Sequence, residues 1–451
     1  MQLTKINIFD VGQLECIPTH EIRKELYNGA GVVVIRRAYR DMHLLDRVSS
    51  MFRKRIEAEE NIGISTNNVK IAKSNKRLVN VLNKFGEDEP VDFIQYYSNE
   101  YLHDVCRVCL GPIYQIISEV NVVVPGECSQ MGHRDYPLGF YSLELMKDVP
   151  PHLAAAAPYL TLQAGVVHHD IPIEMGPTRF VLGSQNDPEG FSTWRDSEEQ
   201  NRFKSNAVQC EFLKGDLVFF NPAIFHGAGG NYTTFPRIIN LLQISCGMVK
   251  PLAHVDFVDL VSNIYPYLLR VSEVEKAERV CRVITDCWPF PTNFHTDPPK
   301  PDLNAGLTDK DWLLDLWRNN TDSSQVVNKY AEKLASRIYS KFKTNPVEIG
   351  KRRKFLQLIK SQSKVAIYPA GGMASDFSKS EFFRYLNVIG FFDQNADKIG
   401  KQINGVEILD INTITALKPS AIIIVVSTNL LSDVVAYLDG IGLINVEIIV
   451  L

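Results

Sequence analysis

Several features that would assign a chain to a membrane, to secretion or to nucleic acid are missing from this sequence. It has no run of about 18 apolar residues, the length that a membrane-spanning helix requires, and its first residues lack the apolar segment of a signal peptide. Its eight cysteines are scattered through 451 residues, which indicates reduced thiols rather than a disulfide framework. The net charge is −4 with both signs interspersed, so nothing favours a nucleic-acid or anionic membrane partner. We therefore expect a cytoplasmic protein that acts on a small molecule.

Two histidines and one aspartate form the most informative pattern that is present. His133 and Asp135 are separated by one residue, and His226 follows a buried apolar segment much later in the chain. In an extended segment alternate side chains point the same way, so we expect His133 and Asp135 to face one ion while Arg134 faces out. Two imidazoles and one carboxylate are the facial triad of mononuclear non-haem Fe(II), which leaves the opposite coordination positions open. The pattern therefore predicts an iron site formed by His133, Asp135 and His226.

One arginine is placed to hold a carboxylate. Arg237 lies just before the apolar segment 238–244, whose composition predicts a strand. A planar guanidinium can hold a carboxylate by two parallel hydrogen bonds. We therefore expect Arg237 to bind a keto acid that acts as cosubstrate beside the metal.

The chain is longer than one hydrophobic core usually organises, so two or three domains are expected. Helical patterns at 19–26 and 44–59 come first, with a short strand at 31–35 between them. After residue 115 the pattern changes to short β segments separated by Gly and Pro, which predicts a β sandwich or jelly roll. These segments are 120–124, 159–167, 179–182, 217–220 and 238–245. The first domain is placed at residues 1–252, and the fold class is α+β.

A helical region is expected next. Residues 253–360 are charged and contain the amphipathic segments 273–284 and 323–342. No metal or phosphate motif occurs among them. We interpret this region as a packing layer, through which a homo-oligomer would form.

The last region, residues 361–451, alternates strand, glycine loop and helix. This is the pattern of a small α/β domain with a Rossmann-like parallel sheet. A full GxGxxG motif is absent, so Gly371 and Gly372 could bind a phosphate with their amides or simply form a tight turn.

A second His-x-Asp triplet at His168 and Asp170 competes with the first. The residues before His168 are apolar and typical of a core strand, whereas the loop 126–132 before His133 is polar and typical of a pocket mouth. A jelly roll also brings an early and a late strand together across its barrel, which suits ligands that are far apart in the chain. We therefore expect His133 and Asp135 to bind the metal.

The first region resembles the phytanoyl-CoA hydroxylase family of Fe(II)- and 2-oxoglutarate-dependent dioxygenases. The resemblance covers roughly residues 10–250 and depends on the order of several motifs. These are Asn28-Gly29 to Ile35, Gln130 three residues before His133, Gly176-Pro177-Thr178, Leu182-Gly183-Ser184-Gln185, and Gly215-Asp216 through His226, Asn231 and Arg237. It implies a double-stranded β-helix, which is a jelly-roll barrel, with the metal on His133, Asp135 and His226 and 2-oxoglutarate on Arg237.

The same resemblance implies Fe(II), 2-oxoglutarate and O₂ as cofactors and hydroxylation of a C–H bond in a small molecule. Asn121, Gln130 and Thr178 are further candidates for cosubstrate contacts, although Asn121 and Gln130 could instead cap strands. Ala228 stands where the family often has a serine, which puts one hydrogen bond to the cosubstrate in doubt. Related halogenases have a small residue in place of the aspartate, so Asp135 favours hydroxylation or another oxidation over halogenation.

The last region resembles the Rossmann-type module found beside sugar acyltransferases and at the end of some sugar C-methyltransferases. The matching residues are Gly390-Phe391-Phe392-Asp393, Ile399-Gly400-Lys401 and Gly405-Val406, while Pro369 replaces the usual glycine. The resemblance makes a sugar-, nucleotide- or coenzyme-linked substrate a hypothesis.

Two functions of other classes stay open. One is a catalytically inactive jelly-roll binding or scaffold protein, which would hold no stoichiometric iron. The other is a cupin-type metal isomerase, which would use the same ligands without Arg237. Metal analysis together with 2-oxoglutarate turnover separates these alternatives from a dioxygenase.

Overall fold

The computed structural model describes residues 5–61, 76–187, 189–290, 308–338, 357–358, 361–379, 383–426, 430–441, 443 and 446–450. The chain clusters into two compact units, one of Met1–Phe290 with Pro299–Val327 and one of Pro291–Pro298 with Asn328–Leu451. The domain boundaries expected from the sequence, after residues 252 and 360, stay a prediction. Within the described ranges, no helix is both long and apolar enough to span a bilayer.

The first unit is built around two β-sheets. Its strands are β1 (Asn7–Asp10), β2 (Val32–Arg36), β3 (Lys76–Leu78), β4 (Tyr114–Val123), β5 (Thr161–Val167), β6 (Arg179–Val181), β7 (Leu217–Phe220), β8 (Phe225–Gly227) and β9 (Arg237–Cys246). The larger sheet has the order β1-β2-β7-β5-β9-β4-β3, and the smaller sheet joins β6 to β8. Only the β1–β2 pair is parallel among these strands. The arrangement agrees with the expected jelly roll.

Helices precede, interrupt and follow these strands. They are α1 (Thr19–Asn28), α2 (Met42–Asn61), α3 (Val81–Asp88), α4 (Pro90–Tyr97), α5 (Glu100–Leu110), α6 (Leu143–Lys147), α7 (Pro151–Ala156), α8 (Gly190–Thr193), α9 (Ser197–Asn206), α10 (Phe257–Leu268), α11 (Val274–Ile284), α12 (Asp309–Arg318) and α13 (Ser323–Ile338). The helices expected at 19–26, 44–59 and 273–284 correspond to α1, α2 and α11. The end of the helix expected at 323–342 lies outside the described residues beyond residue 338.

Strand alternation gives the large sheet two different faces. β4 and β9 pair along their whole length, from Tyr114 opposite Cys246 to Val123 opposite Arg237. β5 pairs with the other side of β9. Because successive side chains point to opposite faces, every second residue of these strands turns towards α2 and α4, and the others line the barrel interior.

A chain of hydrogen bonds fastens the helical face of the sheet. From donor to acceptor it runs through six buried side chains, Tyr97, Ser118, Asn240, Tyr96, His168 and Ser49, and ends on the Leu45 carbonyl. The Tyr96 hydroxyl accepts from Asn240, so its single hydrogen is donated to Nε2 of His168. His168 therefore carries its proton on Nδ1 and donates it to Ser49.

The second unit contains a six-stranded sheet. Its strands are β10 (Lys364–Tyr368), β11 (Asn387–Asp393), β12 (Gln402–Ile403), β13 (Val406–Asp410), β14 (Ala421–Ile424) and β15 (Glu447–Val450), and its helices are α14 (Gly372–Ser378), α15 (Ile414–Leu417) and α16 (Leu431–Gly440). The order is β12-β13-β11-β10-β14-β15, and only the β12–β13 pair is antiparallel.

Both faces of this sheet are covered. Val365 and Ile367 belong to one buried apolar cluster, whereas Ala366 and Tyr368 belong to another. Burial on both faces is characteristic of parallel sheets that pack between helices. The sheet agrees with an α/β unit at the end of the chain, and its assignment as a Rossmann-like module stays a prediction.

Candidate metal centre

The three expected ligands lie together in the first unit. His133, Asp135 and His226 each offer a ligand atom, and these atoms lie within 4.8 Å of one another. Nε2 of His133 is 3.7 Å from Oδ1 of Asp135, and Nε2 of His226 is 3.4 Å from Oδ2 of Asp135. No second group of this kind occurs among the residues that the structure describes. The geometry suits one metal ion.

Backbone hydrogen bonds hold the two ligand-bearing segments side by side. The amide of His133 donates to the carbonyl of His226 at 2.8 Å, and the amide of His226 donates back to His133 at 3.0 Å. The amide of Asp135 donates to Pro222. A Cβ at Gly132 would lie 2.5 Å from the Phe225 ring, so only glycine permits this close approach beside His133.

Both imidazole rings are oriented with Nε2 towards Asp135. Nδ1 of His133 lies 3.2 Å from the Met131 carbonyl, and Nδ1 of His226 lies 2.9 Å from the Ile224 carbonyl. A carbonyl only accepts, so each Nδ1 carries a hydrogen and Nε2 is the nitrogen that would bind a metal. Metal-binding histidines in proteins are oriented in this way by their second nitrogen.

Neighbouring side chains keep the carboxyl group of Asp135 ionised. Burial alone would raise the pKa of Asp135, but His133, His226 and the Gln163 amide together hold it below its usual value. Nε2 of Gln163 donates to Oδ2 of Asp135 at 2.6 Å. Burial also lowers the pKa of His133. The site therefore presents two imidazole rings and one carboxylate, which is the donor set that Fe(II) takes in a facial triad.

Arg134 corrects the expectation that it faces out. It points away from the ligands, but it is only 1% exposed. Its Nη1 donates to the carbonyls of Ala223 at 2.7 Å and Asp187 at 3.2 Å, and the guanidinium lies 5.5 Å from the centre of the Phe191 ring. A Cβ at Gly190 would lie 1.8 Å from Nη2 of Arg134. Alternation predicts the direction of a side chain, but only packing decides whether solvent lies there.

Arg237 begins β9 and is buried, and none of the described residues forms an ion pair with it. It is 3% exposed, and neither Nε nor Nη1 has a hydrogen-bond partner. Burial lowers the pKa of Arg237 to about 10. The next amide, of Ile238, donates to Nε2 of His169 at 2.9 Å. A buried guanidinium with unused donors is suited to an anionic ligand.

The other three expected cosubstrate contacts have different surroundings. Oε1 of Gln130 accepts from the Ala228 amide at 3.1 Å, so this oxygen holds the segment that follows His226. Asn121 is 6% exposed on β4, and its Oδ1 lacks a partner. Thr178 is half-buried just before β6. Their contacts with a cosubstrate stay proposals.

The residues of the competing triplet, His168 and Asp170, form hydrogen bonds with other parts of the chain. Both ring nitrogens of His168 take part in the buried hydrogen-bond chain, and burial lowers the pKa of His168 to about 3. Asp170 is exposed and accepts from the Lys214 amide at 2.8 Å. The geometry therefore agrees with the choice of His133 and Asp135.

Gln163 and Glu119 are interior polar residues that the sequence reasoning missed. Gln163 lies in the middle of β5, where every residue is buried, and Glu119 lies within the largely buried β4. A polar residue inside a strand that is otherwise buried was the available signal, because such a side chain requires a partner.

Residues 27–239 match the family model of phytanoyl-CoA dioxygenase. The match contains all three ligands and Arg237. It supports the family expected from the motifs and an Fe(II)/2-oxoglutarate type of activity. Iron, 2-oxoglutarate and O₂ are the cofactors that agree with it. No curated protein is significantly similar in sequence to this chain.

Solved structures of non-haem iron proteins are distantly similar. The α-ketoglutarate-dependent epimerase SnoN of nogalamycin biosynthesis is 16% identical with a TM-score of 0.39, covering 51% of this chain and 83% of its own. The carbocyclase SnoK of the same biosynthesis is 17% identical with a TM-score of 0.37, covering 52% and 85%. EctD from S. alaskensis with bound Fe is 14% identical with a TM-score of 0.39, covering 53% and 80%. At this level of similarity, the substrates of these proteins say nothing about the substrate of this chain.

Proposed function

We propose that this protein is an Fe(II)- and 2-oxoglutarate-dependent dioxygenase that hydroxylates a C–H bond of a small molecule. The observation that carries the proposal is the convergence of His133, Asp135 and His226 within 4.8 Å, with both imidazole Nε2 atoms turned towards the Asp135 carboxylate. These three side chains would hold Fe(II) on one face and leave the other coordination positions open.

Arg237 supports 2-oxoglutarate as the cosubstrate. Its unpaired Nε and Nη1 are buried, and a carboxylate at this position would satisfy both with a bidentate pair of hydrogen bonds. An isomerase has no need for such an arginine, so Arg237 favours a dioxygenase over a cupin-type isomerase. When bound, iron and 2-oxoglutarate together supply the oxidation, which consumes O₂ and releases succinate and CO₂.

Apolar residues enclose one side of the centre. The Phe220 ring lies 4.9 Å and the Phe180 ring 6.2 Å from the His226 ring, centre to centre. Both phenylalanines are buried. These rings exclude water from the side of His226 that faces the core, which strengthens the electrostatic interactions there.

The second unit makes a sugar-, nucleotide- or coenzyme-linked substrate part of this proposal. Hydroxylation is the proposed outcome, and epimerisation or cyclisation would be distinguished by analysis of the product. A catalytically inactive jelly-roll binding protein stays the alternative of another class.

Metal analysis combined with 2-oxoglutarate turnover tests the proposal. The full chain should bind about one Fe(II) per molecule through the three ligands. Succinate should then form from 2-oxoglutarate only when iron and O₂ are present. A folded protein without stoichiometric metal would indicate a scaffold, and metal binding without any 2-oxoglutarate binding would indicate an isomerase.

A further inference from the structure

Glu119 lies on the same interior face as the residues around Asp135. Its neighbour Ser118 donates to Asn240 at 2.6 Å and so belongs to the helical face. Glu119 therefore turns the other way. It lies opposite Leu241 of β9, which lies opposite Gly165 of β5. Gly165 and Gln163 are two residues apart on one strand, so Glu119 and Gln163 share a face.

The carboxylate of Glu119 has no hydrogen-bond partner among the residues that the structure describes. The side chain is partly exposed, and within the described residues it accepts no hydrogen bond and forms no ion pair. Burial raises the pKa of Glu119, Arg77 opposes that rise, and the charge of Asp135 adds to it. Glu119 shares the interior face with Gln163, whose amide donates to Asp135, so it lies on the side of the sheet that faces the metal centre.

Gln163 supplies a second unpaired acceptor on this face. It is 3% exposed, and its Oε1 has no partner. The Asp135 carboxylate only accepts, so the atom of Gln163 that bonds it must be the amide nitrogen. This contact fixes the orientation of the Gln163 amide group. Oε1 is therefore the atom of Gln163 without a partner.

We infer that Glu119 and the free Oε1 of Gln163 form an acceptor wall of the substrate site, which binds a hydroxyl or ammonium group of the substrate. The inference rests on the proposed function and names its substrate class. Arg237 carries unused donors for an anionic cosubstrate, whereas the acceptor wall carries unused acceptors for a donor group. A purely aliphatic substrate would leave the buried Oε1 of Gln163 unpaired and would cover Glu119 without giving it a partner, which is unfavourable.

Binding without turnover tests this inference. The full chain is loaded with Fe(II) and 2-oxoglutarate under anaerobic conditions, and the dissociation constants of glucose, glucosamine and decanoate are measured. We expect glucose and glucosamine to bind and decanoate not to bind. Glu119→Ala should weaken glucosamine binding about 10- to 100-fold, the loss expected for a hydrogen bond to a charged group.

Two variants sharpen the result. Glu119→Gln keeps an acceptor oxygen but loses the charge, so it should retain glucose binding and lose the preference for glucosamine. If Glu119→Ala does not fold, the binding of glucose and glucosamine to Glu119→Gln tests the inference instead. The exposed Glu57 provides a matched loss of charge outside the barrel, and Glu57→Gln should bind as the wild type does.

The possible outcomes separate the two proposals. Decanoate binding, no binding of either sugar, or unchanged sugar binding in both Glu119 variants would overturn the acceptor wall. In each case normal affinities for Fe(II) and 2-oxoglutarate leave the proposed function intact. A wild-type protein that binds neither Fe(II) nor 2-oxoglutarate overturns the proposed function and the inference with it.

Discussion

Each ligand of the candidate metal centre is held by a contact of its own. The imidazoles of His133 and His226 are oriented by backbone carbonyls, and Asp135 is held by Gln163. A metal ion would therefore meet a prearranged site. Prearrangement also means that a lost ligand is not replaced by a neighbouring side chain, since no other His, Cys, Asp or Glu of the described residues joins this group.

Removal of one ligand should weaken iron binding without unfolding the protein. We expect His133→Ala, Asp135→Ala and His226→Ala each to lose Fe(II) affinity and 2-oxoglutarate turnover, because each opens the coordination sphere. Iron per molecule is measured by metal analysis and folding by circular dichroism. Asp170→Ala is the control and should keep about one iron per molecule, as a single site requires. Iron that is lost in Asp170→Ala but kept in Asp135→Ala would move the metal to the other triplet.

Replacement of Arg237 should act on the cosubstrate. Arg237→Leu should raise the dissociation constant of 2-oxoglutarate about 10- to 100-fold, because the carboxylate loses charge-assisted hydrogen bonds. The affinity for Fe(II) should change much less. Arg237→Lys keeps the charge but loses the planar guanidinium. Its dissociation constant for 2-oxoglutarate should therefore lie between those of the wild type and Arg237→Leu. An unchanged 2-oxoglutarate titration of Arg237→Leu would show that another cation binds the cosubstrate.

At the scale of elements, the buried hydrogen-bond chain joins α2 and α4 to β4, β9 and His168, which directly follows β5. Its members come from four elements and this fifth segment, so its geometry depends on the correct packing of all of them. A fully satisfied buried network of this kind stabilises one arrangement, whereas a broken one leaves unpaired groups in the core.

The middle of this network should matter more than its end. Tyr96→Phe leaves Nε2 of His168 and Nδ2 of Asn240 unpaired, so it should lower the free energy of unfolding by about 1–3 kcal/mol per unpaired group. Tyr97→Phe removes only the first donor of the chain and should cost about 1 kcal/mol. Urea unfolding of both variants measures the difference. Equal losses would mean that the chain of hydrogen bonds does not act as a unit.

The buried neutral His168 predicts a pH dependence of stability. Its pKa is about 3 in the folded protein against 6.5 for an unperturbed histidine, so between these values the unfolded chain binds the additional proton. Its contribution to stability is therefore present above pH 6.5 and is lost as the pH falls towards 3. The expected slope is about 1.4 kcal/mol per pH unit.

A substitution isolates this contribution. In His168→Gln the free energy of unfolding should fall less steeply between pH 6 and pH 4 than in the wild type, although it will be lower at pH 7. The exposed His152 provides the control, and His152→Gln should follow the wild-type curve. Identical slopes for His168→Gln and the wild type would contradict a neutral His168 in the folded state.

At the scale of the whole molecule, the candidate metal centre belongs to one of the two compact units. All three ligands and Arg237 lie within Met1–Phe290. Among the described residues of 361–451, none belongs to the ligand group. The chemistry of the first unit is therefore expected to be separable from the second.

Truncation tests this separation. A chain that ends near residue 360 should keep its affinities for Fe(II) and 2-oxoglutarate, because a compact unit with its own core can fold alone. Titration of both ligands into the folded truncated chain is the measurement. Loss of both affinities in a folded, monodisperse truncated chain would mean that the second unit completes the site.

The sequence pattern predicted some strands and helices correctly and missed others. The strands around 159–167, 217–220 and 238–245 agree with β5, β7 and β9 because their apolar runs are bounded by Gly, Pro or polar residues. The helices α3 to α5, between residues 81 and 110, were not predicted. They are short, at 8, 8 and 11 residues, so each offers too few turns for a helical period to stand out in the sequence.

The sequence by itself determined the ligand types, their order in the chain and the arginine for a carboxylate. These follow from residue identity and local spacing, which are properties of the chain before it folds. Only the tertiary structure decided that Arg134 is buried, that Gln163 holds Asp135 and that His168 belongs to the core. Each of these depends on strand register between segments far apart in the chain, which local periodicity does not contain.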